Sequence, residues 1–293
     1  MELGIEVRDL TLRYGNVTAL DGLTFGLTGG KIHGLLGRNG SGKSSLLSLL
    51  AAFRRPTAGR VLVDGVEPFE NQDVVRMTCL IREGGDLYAS ERVSHVLEFA
   101  ARLRPGWDAE LARRLVDRFR LPTRSRVMSL SRGQRSALAV TLGMAARAPL
   151  TMFDEVHLGM DVPSRYAFYE ELLDDYLAHP RTIILSTHLI EEVSSLFEQV
   201  LIIDRGQVVV HASADELRQR GSALTGPADV VDRFVATRTV LSEQQLGSTK
   251  SVAIYGELDP AQRQMAAAAG LELGPVALQD LFVHLTKDSE VLR

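Results

Sequence analysis

One eight-residue string constrains this chain more than any other feature. Residues 37–44 read Gly-Arg-Asn-Gly-Ser-Gly-Lys-Ser, which fits the pattern G-x-x-x-x-G-K-[ST] with no shift of register. The apolar run at 31–36 is typical of a short buried strand, and residues 45–53 place three leucines and a phenylalanine on one helical face. A strand, a glycine-rich turn and a helix direct backbone N–H groups toward an anion. The sequence therefore predicts a nucleoside triphosphate site.

The individual residues of this loop carry separate expectations. Lys43 is expected to reach the β- and γ-phosphates, and Ser44 to offer its hydroxyl to Mg²⁺. Gly40 and Gly42 let the backbone approach the phosphates with no Cβ in the way. The alternative is a glycine turn that binds nothing.

A second candidate element is an apolar strand that ends in two carboxylates. Residues 150–153 are Leu-Thr-Met-Phe, and Asp154 and Glu155 follow directly. The carboxyl end of a strand beside the phosphate loop is where an aspartate holds magnesium in such ATPases. A second acid there can orient and polarise the attacking water. A simple acidic turn is the alternative.

Composition limits the classes of function. The 293 residues have room for about two domains. The net charge of −4 implies no basic surface for nucleic acid, and the single cysteine, Cys79, rules out a disulfide within the chain. We expect no signal peptide in residues 1–6, and no apolar stretch approaches the roughly 18 residues that a membrane span needs. Work at a membrane would therefore require another, membrane-spanning chain.

The order of predicted elements indicates an α/β fold. Apolar runs at 150–153, 182–185 and 200–203 are typical of buried strands, and a helix is predicted at about 164–177 between the first two. Strands that alternate with helices favour a parallel sheet covered on both faces. After His211 the composition changes, and Gly221–Pro227 is interpreted as a connector rich in glycine and proline. Residues 251–285 suggest a small strand–helix–strand–helix unit. We interpret the end of the chain as an accessory domain.

A third motif connects these elements to a known family. Residues 130–134, Leu-Ser-Arg-Gly-Gln, precede a helix for which Ser131 is a plausible N-cap. With this motif in place, the chain resembles the ATP-binding subunit of an ABC transporter, in particular the single-domain subunits of bacterial ABC-2-type exporters. The matching motifs are Walker A at 37–44, the signature at 130–134, Walker B at 150–155, the D-loop at 158–161, the switch histidine His188 and the adenine-stacking Tyr14.

The resemblance implies a fold and a division into domains. The fold would be a P-loop NTPase, with a RecA-like mixed sheet, an antiparallel β subdomain and a helical subdomain at about 84–147. A small α+β C-terminal domain would follow. The ATPase domain would occupy residues 1–210 and the accessory domain residues 211–293.

The resemblance also implies roles for residues, with ATP and Mg²⁺ as ligands. Glu155 would polarise the water, His188 and Lys43 would stabilise the γ-phosphate, and Ser44 and Asp154 would hold Mg²⁺. The residues expected to contact the nucleotide are Tyr14, Gly37, Asn39, Gly40, Ser41, Gly42, Lys43, Ser44, Ser45, and, acting on the nucleotide of a second chain, Ser131, Gly133 and Gln134.

The partners implied are a second ATPase chain and a membrane permease. Two subunits would close on two ATP molecules, as a homodimer or as a heterodimer with a related subunit. The helical part would dock a multi-span membrane subunit, which places the protein in the cytoplasm, on the inner face of the membrane; no nucleic acid is expected. A soluble ABC ATPase that acts on ribosomes or DNA is the alternative, although the chain has one phosphate loop and no long heptad run. A regulatory role for the C-terminal domain is a third interpretation.

Three positions depart from the family pattern. Arg82 stands where a glutamine normally helps hold Mg²⁺, and arginine has no acceptor with which to ligate a metal. Three alternatives follow. Glu83 holds the metal in place of the glutamine, the metal is held without any residue at this position, or the register of the match to the family is off by one residue. Arg132 replaces a glycine in the signature, and Val156–His157 stands where proline commonly follows the glutamate. His157 is interpreted as structural.

Overall fold

The computed structural model describes residues 2–82 and 87–291 of the chain. Glu83, one alternative to Arg82, lies outside them. The strands of this part are β1 (Ile5–Tyr14), β2 (Val17–Leu27), β3 (Ile32–Leu36), β4 (Ala58–Val63), β5 (Thr78–Arg82), β6 (Leu150–Asp154), β7 (Thr182–Thr187), β8 (Gln199–Asp204), β9 (Gln207–Ser213), β10 (Gly221–Pro227), β11 (Val240–Leu246), β12 (Thr249–Tyr255) and β13 (Glu272–Pro275).

The helices follow the strands in an alternating order over much of the chain. They are α1 (Lys43–Leu50), α2 (Gln72–Met77), α3 (Val93–Leu103), α4 (Ala109–Arg118), α5 (Arg132–Ala145), α6 (Val162–Ala178), α7 (Ile190–Val193), α8 (Ala214–Gln219), α9 (Ala228–Val235), α10 (Pro260–Ala268) and α11 (Leu278–Val291). Among the helices of the described ranges, none combines the length and the apolar character that crossing a bilayer requires.

Two sheets of the first 213 residues confirm the predicted α/β fold. Six strands form one sheet in the order β5-β6-β7-β3-β8-β9, in which β5, β6, β7 and β3 run parallel. A second sheet, in the order β2-β1-β4, is antiparallel. Every residue of β3, β6 and β7 is buried, which explains why these strands read as nearly continuous apolar runs in the sequence.

The chain divides into two compact units, one of residues 1–188 with 203–208 and one of residues 189–202 with 209–293. The domain boundary proposed at residue 210 stays a prediction.

The helix after the phosphate loop is shorter than the sequence pattern predicts. It runs from Lys43 to Leu50 rather than over 45–53. Phe53, expected on its buried face, lies beyond its end and is exposed. The chain leaves the helix through Ala52, whose φ of 61° is left-handed and cannot continue a right-handed helix.

A buried ion cluster ties the helices of the first unit to its sheet. The Asp175 side chain on α6 is 1% exposed and lies 2.8 Å from both Arg147 and Arg181. Arg147 also lies 2.9 Å from Asp108, the residue that caps α4. The cluster thereby joins α6 and the segments just before α4, after α5 and before β7.

The second unit contains an antiparallel sheet in the order β11-β12-β10-β13. Its core is shared by this sheet with α9 and α10, and its buried side chains include Leu224, Val231, Val252, Ile254 and Ala266. The predicted order of strand, helix, strand and helix over residues 251–285 is confirmed as β12, α10, β13 and α11, and the sheet also includes β10 and β11; the accessory role of this region stays a prediction.

The interpretation of Gly221–Pro227 as a connector is wrong. This segment is β10, which pairs with β12 along its whole length and with β13 on its other side. A Cβ at Gly221 would lie 2.6 Å from the Ile254 carbonyl oxygen, and one at Gly226 would lie 2.6 Å from a Leu271 methyl group. These glycines therefore allow close packing in a central strand and do not mark a turn.

Candidate nucleotide site

The phosphate loop joins β3 to α1, and its glycines are required by the backbone and by packing. A Cβ at Gly37 would overlap the Ser41 side chain and the Ile203 carbonyl oxygen. Gly42 has a φ of 108°, a value that residues with a side chain rarely adopt, and a Cβ there would lie 2.7 Å from the Ala19 carbonyl oxygen. The loop therefore cannot take larger residues at these two positions without moving.

Lys43 is the buried cation of the loop. Its Nζ donates to the carbonyl oxygens of Gly37, at 2.7 Å, and Arg38, at 3.2 Å. The same Nζ lies 3.5 Å from Oε1 of Glu155, and the two side chains are only 6% and 12% exposed. The ammonium group is thus held across the loop, where it can exchange these partners for phosphate oxygens.

Three neighbouring parallel strands bring the candidate catalytic residues together. In the sheet β7 lies between β6 and β3, and Asp154 pairs with Ser186 while Leu36 pairs with Thr187. The carboxyl ends of these strands therefore meet at one edge, which is where ligands bind in open α/β sheets. The loop follows β3, Glu155 follows β6 and His188 follows β7.

At this edge Glu155 contacts both other candidates. Its Oε2 lies 3.0 Å from Nδ1 of His188, and its Oε1 faces Lys43. Glu155 has a left-handed backbone with a φ of 52°, and its N–H donates to the Ser186 carbonyl oxygen at 3.1 Å. A carboxylate held between an imidazole and an ammonium group can accept a proton from water beside a phosphate.

Asp154 and Ser44 offer oxygen ligands at the same edge. Asp154 is buried at the end of β6, and its Oδ1 has no hydrogen-bond partner within the described part of the chain. Ser44 lies in the first turn of α1. Carboxylate and hydroxyl oxygens suit a hard cation, and a buried carboxylate oxygen without a partner is otherwise costly, so these residues fit Mg²⁺.

Tyr14 lies at the end of β1, next to the loop helix. Its hydroxyl is 3.3 Å from Oγ of Ser45, a second predicted nucleotide contact. The guanidinium group of Arg54 lies 4.7 Å from the centre of the Tyr14 ring. One aromatic face is thus already covered by a cation, an arrangement that no motif predicts. Asn39 and Gly40, two other predicted nucleotide contacts, lie in the phosphate loop between β3 and α1, and both are exposed.

The signature residues lie at the N-terminus of α5. Ser131 caps this helix, because the Gln134 N–H donates to its Oγ at 3.1 Å while the Ser131 N–H donates to the Gln134 side chain at 3.0 Å. Gly133 abuts the D-loop turn, since a Cβ there would lie 3.0 Å from the Gly159 carbonyl oxygen. Ser131 is thereby confirmed as an N-cap.

These residues line a cavity of about 750 Å³ that is separate from the phosphate loop. Arg118, Arg120 and Asp161 also line it, whereas none of Lys43, Glu155 and the residues 37–42 does. The structure therefore brings the phosphate loop, Asp154, Glu155 and His188 together and leaves the signature apart from them within one chain.

Sequence reasoning does not identify two residues that lie near the site. His157, interpreted as structural, lies 3.5 Å from Glu155. Its position two residues after the glutamate, in the turn that leaves the sheet edge, is the one available signal. Arg54 lies in the segment after α1, and no sequence pattern connects it to Tyr14.

Comparisons with known proteins give the following relationships. The sequence model of the family described as ABC transporter matches residues 20–157. The chain is 29% identical over 301 residues to the Nod factor export ATP-binding protein I of Ralstonia nicotianae, covering 96% of this chain and 93% of that protein. It is 26% identical over 297 residues to the Fe(3+) ions import ATP-binding protein FbpC 1 of Pectobacterium atrosepticum, covering 98% of this chain and 80% of that protein. A solved ATP binding subunit of an ABC transporter matches with a TM-score of 0.66 at 26% identity, covering 73% of this chain and 91% of that one.

Proposed function

Because residues 20–157 of this chain form an ABC transporter domain, which binds ATP and makes the protein an ATPase, we propose that it is the motor subunit of a transporter. ATP binding and hydrolysis would drive a substrate, in the direction of export, through a separate membrane subunit. The observation that carries the proposal is the convergence of Lys43, Glu155 and His188 at one sheet edge, with both Glu155 oxygens within 3.5 Å of a nitrogen.

Hydrolysis is proposed to use Glu155 as the base. Water attacks the γ-phosphorus, its proton passes to the Glu155 carboxylate, and the bond between the γ-phosphorus and the β–γ bridging oxygen breaks, so that ADP leaves and phosphate is released. His188 orients that carboxylate and, with Lys43, stabilises the charge that grows on the γ-phosphate. Mg²⁺ would be held by the Ser44 hydroxyl and the Asp154 carboxylate, and it would neutralise charge on the β- and γ-phosphates.

The remaining predicted residues are proposed to hold the nucleotide. Tyr14 and Ser45 are adjacent, which fits an adenine ring next to the start of α1. The separation of the signature cavity from the phosphate loop supports completion of each site by Ser131, Gly133 and Gln134 of a second chain. A C₂ homodimer is the simplest such assembly, because each chain carries both kinds of half-site. A heterodimer with a related ATPase subunit is the alternative.

An apolar surface in the helical part supports a membrane partner. Tyr88, Glu91, His95, Val96 and Phe99 line a groove of about 310 Å³. The rings of Tyr88 and Phe99 meet edge to face at 6.2 Å, yet both are more than half exposed. Exposed aromatic pairs of this kind are typical of interaction sites. We propose that a cytoplasmic segment of the membrane subunit docks here, which would place the protein on the inner face of the membrane.

The division of labour along the chain is part of the proposal. Residues 1–210 would carry ATP hydrolysis and residues 211–293 an accessory function. Nucleic acid is not proposed as a partner.

The test is capture of the tagged protein from the membranes of its own cell in mild detergent, with mass spectrometry of what accompanies it. A multi-span membrane protein at near-equal stoichiometry supports the proposal. Phe99→Ser should release that protein and leave basal ATPase activity unchanged. Leu103→Ser is the matched control, because Leu103 lies on the same helix and is 60% exposed, against 51% for Phe99, but does not line the groove. Recovery only in the soluble fraction, with ribosomal proteins or nucleic acid, would refute the transport function.

A further inference from the structure

The short turn that follows Glu155 buries a second histidine against the candidate base. His157 lies in the 3₁₀ turn Val156–Gly159, and its side chain is 4% exposed. Its Nε2 is 3.0 Å from Oγ1 of Thr187 and 3.5 Å from Oε2 of Glu155. One imidazole nitrogen thus faces both a hydroxyl and the carboxylate.

These contacts connect two strand ends that each carry a candidate catalytic group. Thr187 is the last residue of β7 and directly precedes His188, whereas His157 follows β6 and Glu155. The contact between His157 and Thr187 therefore joins the segment bearing the base to the segment bearing the second histidine. It acts through side chains, in addition to the backbone hydrogen bond between Glu155 and Ser186.

The chemistry of the cluster favours a proton on Nε2 of His157. An N–H at this atom can donate to Thr187 and present its positive edge to the Glu155 carboxylate. A bare lone pair there would face the negatively charged oxygen instead. Oε2 of Glu155 is then bounded by His188 and His157, which leaves Oε1 directed toward Lys43.

Such a boundary matters because Glu155 sits at a strained backbone position. Its φ of 52° is left-handed, a conformation that persists in a residue with a side chain only where the surrounding structure holds it. The carboxylate itself contacts His188, His157 and Lys43. A general base must point its oxygen at the water it deprotonates, and an error of about 1 Å can cost about 100-fold in rate.

We propose that His157 is a positioning residue for ATP hydrolysis, which holds the Glu155 carboxylate and the Thr187–His188 strand end in a single arrangement. This inference rests on the proposed hydrolysis by Glu155. It does not depend on a membrane partner or on the direction of transport.

The test compares basal ATPase activity of purified full-length variants at saturating and limiting ATP. His157→Leu fills the space without a donor and should lower kcat about 10-fold or more while leaving KM within about twofold. His157→Gln places an amide nitrogen near the position of Nε2 and should restore kcat to within about threefold of the wild type. Thr187→Val should lower kcat less than His157→Leu does. The double variant should have the kcat of His157→Leu alone, because both changes break the same contact.

His33→Leu is the matched control for a merely structural histidine. His33 is also buried, and its Nε2 lies 2.9 Å from the Thr28 carbonyl oxygen. It lies near the start of β3, whereas the phosphate loop follows the end of that strand. Its loss should lower the melting temperature without lowering kcat of the folded protein. Unchanged kcat in His157→Leu, or no recovery in His157→Gln, would overturn the positioning role.

The outcomes separate this inference from the proposed function. A protein that hydrolyses ATP but captures no membrane subunit refutes transport and leaves the comparison of the His157 variants valid. A wild-type protein without ATP turnover refutes the proposed hydrolysis, and the role of His157 with it.

Discussion

Replacement of Glu155 by glutamine should stop ATP turnover and tighten ATP binding in the same variant. Glutamine keeps the shape of the side chain but removes its charge and its ability to accept a proton. Loss of a general base typically lowers the rate by about 100- to 10,000-fold. The rise in affinity has a separate cause, which is the contact between Glu155 and Lys43.

The size of the affinity change follows from that contact. At 3.5 Å, with an effective dielectric constant of about 20, the Coulomb attraction between the two side chains is about 5 kcal/mol. Both are largely buried, so the cost of desolvation cancels much of this attraction, and the ion pair, in which Oε1 of Glu155 accepts no hydrogen bond from the described residues, retains about 1–2 kcal/mol. ATP must displace Glu155 from Lys43, so the neutral variant should bind ATP about 5- to 30-fold more tightly.

The assays are phosphate release, nucleotide titration and size-exclusion chromatography with and without ATP. The variant should elute as a dimer only with ATP, since it can bind the nucleotides that close the proposed interface but cannot hydrolyse them. Glu191→Gln removes an exposed carboxylate three residues after His188 and should change none of the three readings. A Glu155→Gln protein with full activity, or with weaker ATP binding than the wild type, would refute the reasoning.

Two further substitutions test Arg82, at the end of β5, and the buried ion cluster around Asp175. The Arg82 guanidinium lies 5.3 Å from the Phe53 ring centre. Arg82→Gln should change the stimulation of ATPase activity by the membrane subunit more than it changes basal turnover. Equal falls in stimulation and in basal turnover would contradict this prediction. Asp175→Ala should cost about 3–5 kcal/mol in urea unfolding, because it strands the buried Arg181 without its carboxylate. Asp108→Ala, which removes a helix cap and a more exposed ion pair, should cost only about 1–2 kcal/mol, and equal losses would refute the argument.

Much of the fold can be predicted because its signals are local. Strands buried on both faces give continuous apolar runs, and β3, β6 and β7 are each predicted in this way. The order of the strands in the sheet is different, because it depends on contacts between segments far apart in sequence. That β7 lies between β3 and β6 brings His188 to Glu155, and no local pattern encodes it.

The interpretation of Gly221–Pro227 as a connector is wrong because a local signal is present but misleading. A glycine at the start of the segment and a glycine–proline pair at its end are the ordinary signals of a loop. Here the glycines are required by the close approach of Ile254 and Leu271, and Pro227 stands at the last position of the strand. Composition cannot separate a glycine that permits a turn from one that permits packing, because both positions exclude a side chain for different reasons.

The three groups around Glu155 differ in how far the sequence alone identifies them. Lys43 and His188 belong to motifs, so their types and spacing are informative in the sequence itself. His157 has no motif, and its significance arises only because the turn after β6 folds back on the end of β7, where Thr187 lies 3.0 Å away. A side chain that acts by fixing another leaves no pattern of its own in a single sequence. Its effect is therefore to be sought in the rate of hydrolysis when the base is intact and only its support is removed.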